Sequence, residues 1–303
     1  MASIRELRGR IASLKNIEKI TRAVKMVSVA KLRRSQERVV ALRPYANTMQ
    51  RLLGDLVANA ESFEHPLTTP RERKNAALIV IASDRGLCGS FNTNLVRLGA
   101  TRAQELKQTL PPDGRVHVFC VGKKSIGYFS LHKYSIAGDY TGVFQNLQYS
   151  SAQEITTQVV NGYMHGEYDS VEIIYSEFIS LSRQKNAVEQ MLPVSLPPSE
   201  NKSKSPNAKP GLNTQIPYIY EPNAREVFER LLPQALTLQV WKALLESFAS
   251  EHGARMMAMD SASKNAGELI TAISLKYNKA RQGAITKEIL EIVSGAEALK
   301  AAG

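Results

Sequence analysis

Residues 4–27 read IRELRGRIASLKNIEKITRAVKMV, and this stretch decides the fold. Apolar residues recur in it at spacings of three and four, which places them on one face of a helix. The members of this apolar seam are Ile4, Leu7, Ile11, Leu14, Ile17, Ile20, Val24 and Val27. A narrow seam is typical of a helix that pairs with another helix. The short step from Leu14 to Ile17 predicts local overwinding of that pair.

The same helix continues beyond this stretch. The seam resumes at Val29, Leu32, Gln36 and Val39. The first proline is Pro44, where the helix is expected to kink or restart because proline lacks a backbone N–H. Helical spacing returns from Met49 to Leu56. The first helix is therefore about forty residues or more in length, or about 60 Å at 1.5 Å per residue.

The other end of the chain has a similar pattern, and no proline follows Pro233. The repeating apolar or small residues are Ala266, Ile270, Ile273, Tyr277, Ala280 and Ala284, followed by a second register at Ile285, Ile289, Ile292, Ala296 and Leu299. The glycines Gly267, Gly283 and Gly295 are expected to let another backbone come close. Two narrow seams at opposite chain ends predict a long antiparallel coiled coil of the two terminal helices.

Between these helices the pattern changes to short strands and helices. Strand patterns cover 76–83, 115–121, 171–179 and 187–194, and helical patterns cover 91–106 and 150–164. This alternation predicts a small Rossmann-like α/β domain with a partly parallel sheet. The expected organisation is a coiled-coil helix at 1–60, an α/β domain at 75–217 and a second coiled-coil helix at 222–303. Within the α/β domain, residues 196–217 are rich in Pro, Ser, Asn and Lys and are expected to form an exposed mobile loop.

The net charge of +11 is concentrated at the N-terminal end. Residues 1–43 contain twelve Lys and Arg against three Glu, so the rest of the chain is close to neutral. Such a basic helix exceeds what solubility requires, and it predicts an acidic partner surface. No run approaches the roughly 18 apolar residues of a membrane-spanning helix.

The sequence offers no pattern typical of an active site, a cofactor or a metal. The turn Ser83–Asn92 follows a strand and opens a helix, but it lacks both glycine-rich phosphate-binding motifs. The five histidines have no metal-ligand spacing, and Cys88 and Cys120 are interpreted as buried, inert thiols. Two alternatives remain open at this point. One is a basic coiled coil that binds nucleic acid, and the other is a nucleotide-dependent α/β enzyme that uses the Ser83–Asn92 turn.

Three stretches resemble one family from end to end and in the same order. They are residues 11–27 (IASLKNIEKITRAVKMV), residues 83–92 (SDRGLCGSFN) and residues 277–289 (YNKARQGAITKEI). The family is that of the gamma subunits of F-type ATP synthases. The resemblance implies a central-stalk rotor subunit in a proton-translocating enzyme, without catalytic sites or cofactors of its own, because the ATP chemistry takes place on the beta subunits.

The resemblance also implies partners and a location. The implied partners are the alpha and beta subunits of the catalytic hexamer, an epsilon-type (or delta-type) stalk subunit and the membrane c-ring, with no nucleic acid. The chain would lie peripherally on an energy-transducing membrane. A start at Met1 favours the cytoplasmic face of a bacterial inner membrane, with the matrix face of the mitochondrial inner membrane as the alternative.

Matching positions carry the implied contact residues. Beta-subunit contacts are implied for Arg281, Gln282, Arg255, Thr286, Glu288, Val24 and Lys25, and c-ring contacts for Tyr218, Tyr220 and Glu221. Two positions depart from the family pattern, because Val24 replaces a common methionine and Gly283 a common alanine or serine. The helix is therefore expected to be softer at Gly283. The cysteine-bearing insert of plastid members is missing, which argues against thiol control of rotation.

Overall fold

The computed structural model describes residues 3–59, 65–181, 183–194 and 220–301. The loop predicted at 196–217 lies outside these residues. The chain divides into two compact units. The helical unit contains Met1–Val29 and Arg255–Gly303, and the central unit contains Ala30–Ala254. Each of the two long helices supplies residues to both units.

The elements follow the order predicted from the sequence, with three additions. The helices are α1 (Ile4–Asn59), α2 (Phe91–Thr109), α3 (Lys123–Leu131), α4 (Tyr149–Met164) and α5 (Ala224–Ala301), and a 3-10 helix spans Val143–Gln145. The strands are β1 (Ala76–Ile81), β2 (Val116–Val121), β3 (Ser135–Tyr140), β4 (Ser170–Phe178) and β5 (Gln184–Leu192). Helix α3, strand β3 and the 3-10 helix were not predicted.

The five strands form one sheet with the order β3-β2-β1-β4-β5. Strands β1 to β4 run parallel, and β5 pairs with β4 antiparallel. The predicted α/β architecture with a partly parallel sheet is thereby confirmed. Every residue of β1 is fully buried, because the sheet is covered on both faces and β1 lies at its centre.

Alternate residues of β1 belong to two hydrophobic clusters. Ala77, Ile79 and Ile81 pack in the cluster that includes residues of α1, α4 and α5. Ala76, Leu78 and Val80 pack in the cluster that includes residues of α2. Helices α1, α4 and α5 therefore cover one face of the sheet within the central unit, and α2 and α3 cover the other.

Helix α1 passes through Pro44 without ending, so the expected restart of the helix was wrong. Core side chains hold the helix on both sides of the proline. Val39 precedes Pro44, and Met49 and Leu53 follow it; all three are at most 8% exposed and belong to the same cluster. Their packing outweighs the one backbone hydrogen bond that a proline removes.

Candidate interaction surface and the central turn

The seam of α1 in the helical unit keeps strict heptad spacing. Its buried or half-buried members are Ile4, Leu7, Ile11, Leu14, Glu18, Thr21, Lys25 and Ser28. Ile17, Ile20 and Val27, which were placed in the seam from the sequence, are instead 45%, 62% and 56% exposed. The predicted step between Leu14 and Ile17 is therefore wrong. A paired helix must keep its 3.5-residue register, even where that places polar residues in the seam.

The polar part of this seam contains an ion-pair network. Lys25 Nζ lies 2.6 Å from Asp260 Oδ1, and Lys264 Nζ lies 2.9 Å from Asp260 Oδ2. Hydrogen bonds from Lys25 and then Lys264 lower the pKa of Asp260 to about 2. An open groove beside this network has Gly267 and Thr271 among its lining residues. The pair fixes the register of α1 against α5 at a point where few apolar side chains do so.

The residues of the first seam predicted on α5 are all buried or half-buried in the structure. Ala266 is buried, and Ile270, Ile273, Tyr277, Ala280 and Ala284 are half-buried. A Cβ atom built on Gly267, Gly283 or Gly295 meets nothing within 4 Å. The idea that these glycines admit a neighbouring backbone was therefore wrong.

The second register on α5 does not form a seam among the described residues. Ile285, Ile289 and Ile292 are 47%, 55% and 71% exposed, and Ala296 is exposed as well. The side chain of Leu299 lies outside the described residues.

Lys25 and Asp260 lie near the ends of α1 and α5 segments that run in opposite directions through the unit. Ile4 precedes Lys25 on α1 by the same number of residues as Arg281 follows Asp260 on α5. Because the two helices are antiparallel, Ile4 and Arg281 lie opposite each other, and α5 continues past the start of α1.

This overhanging part of α5 presents most of the predicted beta-subunit contacts. Arg281, Gln282, Thr286 and Glu288 are all exposed. Spacings of four and seven residues place them, together with Ile285 and Ile289, on one side of the helix. These six residues are the terminal surface. Thr286 also donates its hydroxyl to the carbonyl oxygen of Gln282 at 3.0 Å.

Ile285 and Ile289 of the terminal surface were not predicted as contact residues. Their apolar periodicity was visible, but it was assigned to helix pairing. Exposed isoleucines beside an arginine and a glutamine form a mixed apolar and hydrogen-bonding surface, which is typical of a partner contact.

The other implied contact residues lie in different surroundings. Val24 is half-buried, and Lys25 is already paired with Asp260. Arg255 is only 7% exposed, so little of its side chain is available to another subunit. Tyr218 lies outside the described residues. Tyr220 is half-buried, and Glu221 is exposed.

The central turn, Ser83–Asn92, is held together by its own side chains. Asn92 Oδ1 accepts hydrogen bonds from the backbone N–H and the hydroxyl of Ser83, both at 2.9 Å. Asn92 Nδ2 donates to the carbonyl oxygen of Arg85 at 3.2 Å and to Cys88 Sγ at 3.1 Å. All of these hydrogen bonds join residues within the turn, so they stabilise its conformation.

A carboxylate of the chain, that of Asp84, caps the start of helix α3, and the start of a helix is a position that can bind anions. Asp84 Oδ1 accepts the backbone N–H of Lys123, the first residue of α3, at 2.9 Å and that of Gly142 at 3.0 Å. The next three N–H groups of α3, from Lys124 to Ile126, donate to carbonyl oxygens of Ser83 and Gly122. The usual anion-binding donors of a helix N-terminus are therefore already used.

Close packing reinforces this arrangement at Gly122. Its φ of 90° lies in the region that favours glycine. A Cβ atom at this position would lie 2.3 Å from the carbonyl oxygen of Ala82. The backbone segments that follow β1 and β2 therefore pack directly against each other at this point.

Other chemistry-bearing residues of the described part do not assemble into a site. No group of three His, Cys, Asp or Glu residues there is placed to hold a metal ion. Cys88 and Cys120 are both buried, and burial raises the pKa of the Cys120 thiol to about 11. No helix within the described ranges is long and apolar enough to cross a membrane.

Sequence comparisons agree with the resemblance seen in the three stretches. A family model described as ATP synthase matches residues 3–299. An ATP synthase gamma chain of Anaeromyxobacter sp. (strain Fw109-5) is 45% identical, covering 99% of this chain and 100% of that one. The ATP synthase gamma chain of Cytophaga hutchinsonii is 43% identical, with 99% of each chain covered.

Solved structures share the fold. A chain from the Euglena gracilis mitochondrial ATP synthase (OSCP/F1/c-ring, rotational state 3) superimposes with a TM-score of 0.67 at 22% identity, covering 98% of this chain and 95% of that one. A chain from the rotor of the same organism's enzyme gives a TM-score of 0.62 at 19% identity, covering 93% and 98%. The fold is therefore shared with these ATP synthase chains. With the family model and the relatives above 40% identity, the chain belongs to the ATP synthase gamma chain family.

Proposed function

We propose that this chain is the central-stalk rotor subunit of an F-type ATP synthase. In this role it transmits torque between the membrane c-ring and the catalytic alpha/beta hexamer during ATP synthesis or hydrolysis. Its partners are the alpha and beta subunits, an epsilon-type (or delta-type) stalk subunit and the c-ring. The observation that carries the proposal is the terminal surface, which combines exposed charged, polar and apolar residues on a helix extending past its pairing partner.

The terminal surface suits a contact with a beta subunit. The Arg281 guanidinium and the Gln282 amide can donate hydrogen bonds to carboxylate and carbonyl oxygens of a partner, and hydrogen bonds that involve a charged group are the stronger kind. Ile285 and Ile289 supply apolar area beside these donors. Val24, Lys25 and Arg255 remain proposed contacts of secondary weight, since the chain's own residues cover much of each side chain.

We assign no catalytic activity to this chain on its own. The carboxylate of Asp84 and the used N–H groups of α3 support this assignment, because a nucleotide phosphate at the start of α3 would meet a negative charge and no free backbone N–H among the first four residues of that helix. Tyr220 and Glu221, with Tyr218, remain the proposed contacts with the c-ring.

The proposed location is peripheral, on an energy-transducing membrane. Relatives from Anaeromyxobacter and Cytophaga hutchinsonii are 43–45% identical to this chain, whereas the mitochondrial chains of Euglena gracilis are 19–22% identical. This difference supports the cytoplasmic face of a bacterial inner membrane over the mitochondrial matrix face.

A double substitution tests the proposal. Arg281→Leu with Gln282→Leu should lower ATP synthesis by inverted membrane vesicles several-fold, while the purified chain keeps its circular dichroism spectrum, since both side chains are exposed. The matched control is Lys276→Leu with Lys287→Leu, which changes two exposed residues of the same helix on a different side. Unaltered synthesis in the first variant, or an equal loss in the control, contradicts the assigned contact.

A further inference from the structure

Strand β4 is longer than its neighbour β1, and within the described ranges part of its edge has no strand beside it. The last pair between the two strands is Val80 with Ile174, whereas β4 continues to Phe178. On its other side β4 remains paired with β5 along this segment, as far as Phe178 and Gln184. The edge of Ser176–Phe178 that faces away from β5 therefore needs other hydrogen-bond partners.

Side chains of helix α5 supply these partners. The backbone N–H of Ser176 donates to Ser247 Oγ at 3.0 Å, and Ser250 Oγ donates to the carbonyl oxygen of Ser176 at 3.0 Å. The backbone N–H of Phe178 donates to Glu246 Oε2 at 3.0 Å. Two consecutive turns of α5 thus replace the missing strand along two residues of β4.

The contact is dry and close. Ser176, Ser247 and Ser250 are at most 1% exposed, and Glu246 is 6% exposed. One turn further along the helix, a Cβ atom on Gly253 would lie 3.1 Å from Cε2 of Phe178. Buried hydrogen bonds are not screened by water, and losing one leaves a backbone group without a partner, so the helix is fixed in both rotation and translation against the strand.

We propose that Glu246, Ser247 and Ser250 form a torque clamp, in which these α5 side chains lock the helix to the edge of β4 so that rotation of the sheet turns the helix. Helix α5 runs without interruption from Ala224 to Ala301, so a rotation imposed at the clamp is carried along the helix. The three residues are positioning residues. The proposal rests on the rotor role proposed above.

A matched pair of substitutions isolates the clamp. Glu246→Gln keeps an oxygen that accepts the Phe178 N–H, whereas Glu246→Leu has similar size without an acceptor. Both variants are introduced into the complete ATP synthase. Proton pumping driven by ATP and the rate of ATP hydrolysis are measured in the same inverted vesicles, together with hydrogen exchange of the Phe178 amide.

The torque clamp predicts that Glu246→Leu retains hydrolysis but loses at least half of the protons pumped per ATP, with faster exchange at Phe178. Glu246→Gln should keep the pumping ratio of the unsubstituted enzyme. A merely structural role would lower hydrolysis and pumping together. Equal pumping ratios in the two variants, combined with faster exchange in the leucine variant alone, would overturn the proposal.

A second variant tests the torque clamp in case the Glu246→Leu chain does not assemble into the complete ATP synthase. Ser247→Ala with Ser250→Ala removes two of the hydrogen bonds with little change in volume, and it should also at least halve the pumping ratio. Arg225→Ala, which breaks an exposed ion pair on the same helix, serves as the control and should change nothing. An unchanged ratio in the double alanine variant rejects the torque clamp. Failure of the rotor role would be recognised differently, because the chain would then not copurify with alpha and beta subunits.

Discussion

The central unit and the helical unit bury very different amounts of apolar surface. In the central unit, all six residues of β1 have no exposed surface, and hydrophobic clusters fill both sides of the sheet. In the described part of the helical unit, buried residues are few: Leu7, Thr21, Ser28, Arg255, Met259 and Ala266. Large apolar side chains such as Leu275, Leu290 and Ile292 are more than half exposed there. The central unit buries its apolar residues within the chain, whereas the helical unit leaves exposed apolar surface of the kind that partner chains cover.

The largest expected effect on stability comes from a substitution that creates a cavity in the core of the central unit. Leu244→Ala removes a side chain that has no exposed surface, and it should lower the free energy of unfolding by about 2–5 kcal/mol. Urea unfolding of the purified chain measures this change. The control is Leu290→Ala in the helical unit, where the side chain is 60% exposed and the expected change is within about 0.5 kcal/mol. Similar losses in both variants would contradict the contrast between the units.

Alanine in place of glycine should act in opposite directions in the two units. Gly122→Ala forces a Cβ atom against Ala82 and a positive φ on a non-glycine residue, at a cost of about 1–3 kcal/mol or more. Gly267→Ala meets no atom within 4 Å inside a helix, so it should stabilise the chain by about 1 kcal/mol. Thermal unfolding of both variants tests the signs, and a destabilised Gly267→Ala variant would show that the α5 seam is closer to α1 than described.

A smaller and pH-dependent effect is expected at the polar seam of the helical unit. The pKa of Asp260 is lowered from 3.8 to about 2, so its ion pairs with Lys25 and Lys264 stabilise the folded chain above about pH 4. This contribution is lost as the pH falls through about 2, because the carboxylate is then protonated. Asp260→Asn should therefore lower the melting temperature slightly at pH 7 and low salt, and by much less at pH 2, where a large share of the carboxylate is protonated. High salt should also remove the difference, since the pair is partly exposed.

No reaction at all is expected at the two thiols. Cys88 and Cys120 are at most 1% exposed in the central unit, so an aromatic disulfide reagent should label neither thiol in the native chain at pH 8. Both should react in denaturant. Rapid labelling of native protein would show that the central turn or the β2 strand opens more readily than its packing indicates.

The fold could be predicted from the sequence wherever one face of an element is continuously apolar. Strand β1 is an uninterrupted apolar run, and helix α1 has apolar residues at heptad spacing from Ile4 to Leu14. Strand β3 reads SIAGDY and was missed. It is an edge strand that pairs with β2, and because few of its side chains are buried its sequence has no continuous apolar run. Helix α3 was missed because it has only nine residues, too few for a clear helical period.

The register of the seam was harder to predict than the helix itself. Counting apolar residues selected Ile17 and Ile20, yet the seam passes through Thr21 and Lys25. A paired helix keeps its geometry along its length, so position outweighs residue type, and a lysine that pairs with Asp260 is accepted there. Apolar residues outside the register then mark surface that other chains cover. The exposure of Arg281 and Gln282 could not be derived from periodicity alone, because it depends on where α1 begins.

The carboxylate at the start of α3 has a consequence for how the chain works among its proposed partners. Catalytic subunits fill and empty with nucleotide in every cycle, and the adenine nucleotide concentration of a cell varies with its energy supply. A Rossmann-like domain with an open crevice would respond to that variation by gaining and losing a ligand. Because Asp84 is covalently part of the chain, its contacts with Lys123 and Gly142 are present at every nucleotide concentration. These two contacts at the start of α3 therefore do not depend on the metabolite that the proposed enzyme produces.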